Sequence, residues 1–226
     1  EMNLMQYGKG GVPIIAFPTD QGTYDEWEDH GMTEALAYQL DESLNSLFNL
    51  ETMDYECLLN MDIEPEERLK RYLKYQTFII EELIPFVHKE SGSSYVILAG
   101  VGFGAYHAAN LIFKNPEKFS KFIGMDGLYD VTPYMSGFYN DTVYYNSPLH
   151  FLPRMDDSNI LAKYEKLDLR LITSNTNPTF EDHTERFSNV LEDKMISHIF
   201  DQKDPDLDGD LEEWEFWKEI FKRHIV

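Results

Sequence analysis

Apolar residues recur along this chain in two rhythms. Short, nearly unbroken apolar runs alternate with longer segments in which apolar residues return every three or four positions. The first rhythm marks strands buried on both faces, and the second marks helices with one apolar stripe. VPIIAF at 12–17 reads as a buried strand, with Pro18, Asp20 and Gly22 supplying the loop behind it. A helical stripe runs over 32–40 (MTEALAYQL), and LFNLE near Leu47 reads as a second strand. Pro65 stands where the first turn of a helix tolerates proline and opens the long segment EERLKRYLKYQTFIIEELIPFVHKE. Pro85 removes a backbone donor inside that segment, so a kink or a break in regular hydrogen bonding is expected there.

The second half continues the pattern. YVILAG at 95–100 is the plainest buried strand, and a helix is predicted over 104–114. KFIGMDG around Phe122 reads as another strand, followed by a long loop rich in aromatic residues, among them Phe138, Tyr139, Tyr144 and Tyr145. LDLRLITS at 167–174 and ISHIFDQ at 196–202 are two further strands with a helix between them, and LEEWEFWKEIFKRHI closes the chain as an amphipathic helix. Such alternation predicts a mostly parallel sheet covered by helices on both faces. No repeat, low-complexity tract or linker-like stretch interrupts it. Residues 1–226 are therefore expected to form a single α/β domain able to bury a sizeable core.

Composition narrows the partners. Hydrophobic residues make up 42% and aromatic residues 14% of the chain, a globular balance. Against 19 Lys and Arg stand 41 Asp and Glu, a formal charge of −22. Such a surface repels phosphate backbones and anionic lipid, so neither nucleic acid nor membrane is an expected partner. A small ligand or a basic protein fits the charge better. Cys57 is the only cysteine, which rules out an internal disulfide and favours a reducing compartment. No apolar run approaches the ~20 residues that span a bilayer. A cytoplasmic location is the expectation.

The segment ILAGVGFGAYHAAN at 97–110 carries the chemical question. Its shape is strand, tight turn and helix, the turn in which G-x-S-x-G enzymes hold an attacking hydroxyl. Here the middle residue is Gly102. Together with IIAFPTDQGTYDEWEDHGM, GVGFGAYHAANLIFKNPEKFSKFIGMDGLYD and YNDTVYYNSPLHFLP, this segment resembles the esterase branch of the α/β-hydrolases that includes esterase D and the enterochelin esterases. The resemblance covers nearly the whole chain, with the early strands only partly represented. It implies an α/β-hydrolase fold and a Ser-Asp-His triad. The nucleophile position falls on Gly102, the acid position on Thr176 or Asn177, and the imidazole position on Glu212. None of these supplies the chemistry of the residue it replaces. Losing Ser or His alone from such a triad costs about 10⁶ in rate, roughly 8 kcal/mol of barrier. Backbone N–H groups at Phe103 and Thr19 remain as an oxyanion-like pair, which can retain some acceleration.

Nothing else rebuilds a triad with any specificity. His107 reads as a packing residue on the helix after the turn, His183 beside Asp182 as a surface-helix neighbour, and Ser174 as a loop residue with no evident base. Asp20 and Asp126 follow predicted strands and Glu212 stands at the imidazole position, so these three acids either cap neighbouring helices and turns or form an acidic pocket at the former crevice. DPDLDGDLEEWE at 204–215 also fits a calcium loop. Asp204, Asp206 and Asp208 take its first, third and fifth positions, and Gly209 takes the sharp turn. Asp210 offers its carbonyl, Leu211 is the apolar eighth residue, and Glu215 stands twelfth. Ca2+ is therefore the expected metal, and no organic cofactor is expected. The leading reading is a non-catalytic hydrolase homologue that binds or regulates. The alternatives are a carboxylic-ester hydrolase independent of serine and an acidic interaction module.

Overall fold

In the computed structural model, which describes residues 2–20, 22–204 and 211–225, strands β1 (Leu4–Tyr7) and β2 (Val12–Phe17) come first. Three short helices follow, α1 (Glu26–Asp29), α2 (Met32–Ala35) and α3 (Ala37–Asp41), and then β3 (Asn45–Leu50). Helix α4 (Pro65–Phe78) passes through a π-helical turn at Ile79–Leu83 into α5 (Ile84–Ser91). Strand β4 (Ile97–Val101), helix α6 (Phe103–Lys114) and strand β5 (Lys121–Met125) come next. The aromatic connection carries α7 (Asp141–Tyr144), α8 (Pro148–Phe151) and α9 (Ser158–Tyr164). Strand β6 (Asp168–Thr173), α10 (Pro178–Asp193), β7 (Ile199–Gln202) and α11 (Glu213–His224) complete the described chain.

The strands form one seven-stranded sheet in the order β1-β3-β2-β4-β5-β6-β7. Only β1 runs antiparallel, paired with β3 from Leu4 opposite Leu50 to Tyr7 opposite Leu47. The apolar runs are explained by burial on both faces. Ile15, Phe17, Leu98 and Phe122 point toward Tyr72, Val87, Ile112 and Phe187 of α4, α5, α6 and α10. Their neighbours Ile14, Ala16, Ala99 and Ile123 point the other way, toward Trp27, Met32, Phe216 and Phe221 of α1, α2 and α11.

Three expectations needed adjustment. Strand β1 was not foreseen, because its residues are only half-buried and carry no apolar run. The helix over 32–40 breaks at Leu36, whose φ of −98° and ψ of 7° interrupt the helical path. The break in regular hydrogen bonding expected at Pro85 is present, although the helix continues beyond it. The π turn just before it absorbs the missing donor by widening the hydrogen-bond spacing. Finally, β7 begins at Ile199, three residues late, because the Ile196 carbonyl is turned to the His198 ring at 3.1 Å.

A polar chain is sealed between α4 and α6. His107 Nε2 and Asp54 Oδ1 lie 2.8 Å apart, and Tyr72 Oη lies 3.3 Å from His107 Nδ1. Asn110 Nδ2 donates to Tyr72 at 3.2 Å and to Asn146 Oδ1 at 3.0 Å. The Lys114 stem runs along the surface, but its ammonium turns inward, donating to Gln76 Oε1 at 2.8 Å and Asn146 Oδ1 at 2.9 Å. Desolvation there lowers the Lys114 pKa from 10.5 to about 8. Between those two values the unfolded chain holds the proton and the folded chain releases it, so this group makes stability rise with pH. Above pH 10 the buried phenols of Tyr72 and Tyr129, held above their usual range by desolvation, act in the opposite direction. Urea unfolding of the protein and of Lys114→Met should therefore show the wild type gaining on the variant from pH 8 to pH 10. A constant difference across that window would remove Lys114 as the cause.

Candidate functional site

The C-terminal ends of the parallel strands converge on the turn after β4. Gly102 holds φ 56° and ψ −113° between Val101 and Phe103. Its N–H donates to the Met125 carbonyl at 2.9 Å, and its own carbonyl accepts from Leu128 N–H at 3.2 Å. The turn is thus an elbow clamped by the end of β5. A Cβ built on Gly102 would meet only Phe180 Cζ, at 4.0 Å. Space for a side chain remains, but its backbone conformation is one that only glycine adopts without strain.

Of the oxyanion-like pair, Phe103 opens α6, where no carbonyl one turn back belongs to the helix. The Thr19 N–H is already engaged: it donates to Glu26 Oε2 at 2.8 Å while the Thr19 hydroxyl donates to Oε1 at 2.6 Å. Glu26 reaches across because Gly22 leaves room, since a Cβ there would come within 2.5 Å of the carboxylate. Sequence reasoning missed Glu26, which carries no motif and lies one short helix away.

The matched acid and base positions are occupied by structural groups. Asn177 is the N-cap of α10, and its side-chain oxygen accepts from Thr179 N–H at 3.0 Å. Thr176 bonds Ser174 Oγ at 2.8 Å and also the Glu213 carboxylate. Glu212 precedes α11 and lines a cleft of about 710 Å³ with Asp29, His30, Glu213, Trp214 and Glu215. The rings of His30 and Trp214 stack there at 4.1 Å, 2° from parallel.

The three-acid pocket is not assembled. Asp20 is exposed, and the lining of the Glu212 cleft includes neither Asp20 nor Asp126 among the described residues. Asp126 is 1% exposed and works as a strut. Its Oδ1 accepts from Thr173 Oγ1 at 2.8 Å and Ser174 N–H at 2.9 Å, while Oδ2 accepts from Trp217 Nε1 at 2.7 Å. It thereby joins β5, β6 and α11. Asp126 adopts a positive φ of 45°.

Apart from His30, the histidines among the described residues lie outside the lining of the Glu212 cleft. His107 is committed to Asp54, both side chains 1% exposed. Nδ1 of His183 accepts from Tyr129 N–H at 3.3 Å, and desolvation, with Arg186 nearby, lowers its pKa. Ser188 Oγ and His198 Nε2 lie 2.7 Å apart, but Ser188 stands eight residues beyond Phe180 on α10, about 12 Å along the helix. His150 links Tyr139 Oη, 3.0 Å from Nδ1, to Asp130 Oδ2, 3.3 Å from Nε2, and so pins the aromatic loop. Of that loop, Phe138 and Tyr144 pack on the core while Tyr139 and Tyr145 stay exposed.

Asp206, Asp208, Gly209 and Asp210 of the calcium-loop reading lie outside the described residues. Among the described residues no His, Cys, Asp and Glu cluster suited to a metal is found. Glu215 falls in the first turn of α11 and pairs with Lys218. No described helix is long and apolar enough to cross a membrane.

The sheet order, the lone antiparallel strand and the elbow after β4 define an α/β-hydrolase fold. Solved structures of that fold superpose over almost the whole chain. An S-formylglutathione hydrolase from Agrobacterium tumefaciens matches with a TM-score of 0.75 and 11% identity, over 99% of this chain and 87% of its own. A ferulic acid esterase matches with a TM-score of 0.72 and 13% identity, over 96% and 83%. The enterochelin esterase from Shigella flexneri matches at 0.63 and 15% identity, over 97% of this chain and 52% of its own. No family model and no curated protein sequence matches the chain.

Replacing Gly102 tests the elbow directly. Gly102→Ser should fold and cost about 1–3 kcal/mol, the strain of a side chain in that conformation. Urea denaturation measures it; an unchanged midpoint would mean that the turn relaxes freely.

Proposed function

We propose that this chain is a hydrolase-fold protein whose inherited crevice binds rather than cleaves. The observation that carries this reading is Gly102 at the elbow, where acyl transfer requires an oxygen nucleophile. Two features support it. The Thr19 N–H is satisfied internally by Glu26, and the imidazoles of His107 and His183 are engaged by Asp54 and by the Tyr129 N–H. The cleft at the start of α11 carries Asp29, Glu212, Glu213 and Glu215 against a single cation among the described residues, Lys218, which pairs with Glu215. This acidic balance suits a basic small molecule or a basic segment of a protein partner.

Ca2+ belongs to the same reading. Its support is the ligand spacing from Asp204 to Glu215, with Glu215 in the first turn of the following helix, where a twelfth-position ligand stands. Melting in EDTA and in millimolar Ca2+ checks it. At 100 times its dissociation constant the ion adds about 2.7 kcal/mol. The transition should rise by several degrees in the native chain and not in Asp204→Ala; an unmoved transition in both retires the metal.

The second reading is carboxylic-ester hydrolysis without serine, and the comparisons favour it, since the similar structures bear the names of esterases and hydrolases. Assay with short-chain aryl esters separates the two. Under the binding reading the native protein and Gly102→Ser both stay within about 10⁴ of the water rate, the level that positioning and oxyanion donors alone supply. Faster turnover in the native chain that falls on Glu212→Gln would establish the hydrolase.

A further inference from the structure

The opposite end of the sheet holds a second cavity, remote from the elbow. Its base is formed by the first residues of β2, β3, β4, β5 and β6, and its volume is about 490 Å³. That size and a mainly apolar lining suit a small-molecule ligand. Three of the protein's exposed large hydrophobic side chains gather here, Tyr38 at 70%, Leu44 at 51% and Tyr95 at 41% exposure. Exposed apolar side chains gathered at one cavity mouth are the kind of patch that binds a partner or ligand.

The floor is charged. Lys121 is 4% exposed, and its Nζ lies 3.1 Å from Asp168 Oδ2, its one ionic partner among the described residues. Asp168 is shared, because Arg170 Nε lies 2.6 Å from its other oxygen. Two cations around one carboxylate leave a net positive charge beneath the cavity. Desolvation would raise the pKa of the Asp168 carboxyl, but the neighbouring Arg170 and Lys121 cations outweigh it and hold it below its usual range. An ammonium has three donors, so Lys121 keeps capacity for a second acceptor.

We propose that this cavity binds a small amphipathic monoanion, its carboxylate or sulfonate on Lys121 and its apolar body between Tyr38, Leu44 and Tyr95. The charge complementarity is local: in a chain of net charge −22, an anion needs such a cationic floor to approach at all. A neutral apolar ligand would leave the second acceptor of Lys121 unsupplied.

Fluorescence titration with anilinonaphthalene sulfonate tests the site, with the uncharged phenylnaphthylamine as its neutral counterpart and octanoate as competitor. The sulfonate should bind one to one and be displaced by octanoate. Leu44→Glu and Tyr95→Ala, both at exposed positions, should each weaken it about tenfold by removing apolar contact or adding repulsion. Lys121→Met should weaken the sulfonate about tenfold and leave the neutral probe unchanged. If that variant does not fold, the preference of the native protein for sulfonate over the neutral probe, and its loss in Leu44→Glu, carry the same information. Absence of binding, equal binding of the two probes, or binding indifferent to Leu44→Glu and Tyr95→Ala overturns the proposal. So does a dimer in sedimentation that Leu44→Glu dissociates, which would make this face an interface between copies.

Discussion

Helix α6 rests its first turn directly on the backbone leaving β2, with no side chain between them. A Cβ on Gly104 would come within 2.2 Å of the Pro18 carbonyl oxygen, and one on Gly100 within 2.3 Å of the Gly104 carbonyl carbon. This approach fixes β2, β4 and α6 as one unit and sets the Phe103 and Thr19 N–H groups on the same rim. It demands bare backbone at positions 100 and 104. At position 102 it demands only a left-handed conformation, which glycine meets without strain. The scaffold and the nucleophile are therefore separable: the elbow persists because of its two flanking glycines, whatever stands between them.

An active site keeps donors aimed at charge that appears only in the transition state, and those donors are poorly matched at rest. Around this elbow several polar groups are matched instead. Glu26 occupies the Thr19 donors, Asp126 holds Thr173, Ser174 and Trp217, and Asn177 caps α10. Each pairing stabilises the resting fold and removes a group from use in chemistry.

Much of the fold could be read from the chain because its parallel strands are buried twice. A strand such as Ile97–Val101 must be apolar on both faces, and no surface demand blurs the run. Strand β1 escaped because one partner and half-burial leave its composition free. The elbow was legible for a different reason, since close approach and positive φ both select glycine and so leave a mark at fixed spacing. The roles of Asp126 and Glu26 were not legible. Asp126 finds Trp217 across 91 positions, and Glu26 serves Thr19 through a loop turn, neither of which any periodicity encodes. The positions of the acids suggested a pocket; only the bonds of Asp126 to Thr173, Ser174 and Trp217 revealed a strut.

Charge gives the two ends of the sheet different meanings. With 41 acids and 19 lysines and arginines, most cations have surface carboxylates within easy reach, as Lys70 does with Glu66 and Lys163 with Glu117. Such exposed pairs contribute little. Lys121 is different, because burying an ammonium costs several kcal/mol unless its hydrogen-bonding capacity is used. Asp168 cannot meet that need alone while Arg170 draws on the same carboxylate. A chain this acidic could have neutralised the floor with one more Asp or Glu from the loops around it. The described residues instead surround it with Tyr38, Leu44 and Tyr95, which offer no negative charge. That combination, an under-compensated cation at the base of an apolar cavity, is a demand for an anion from outside.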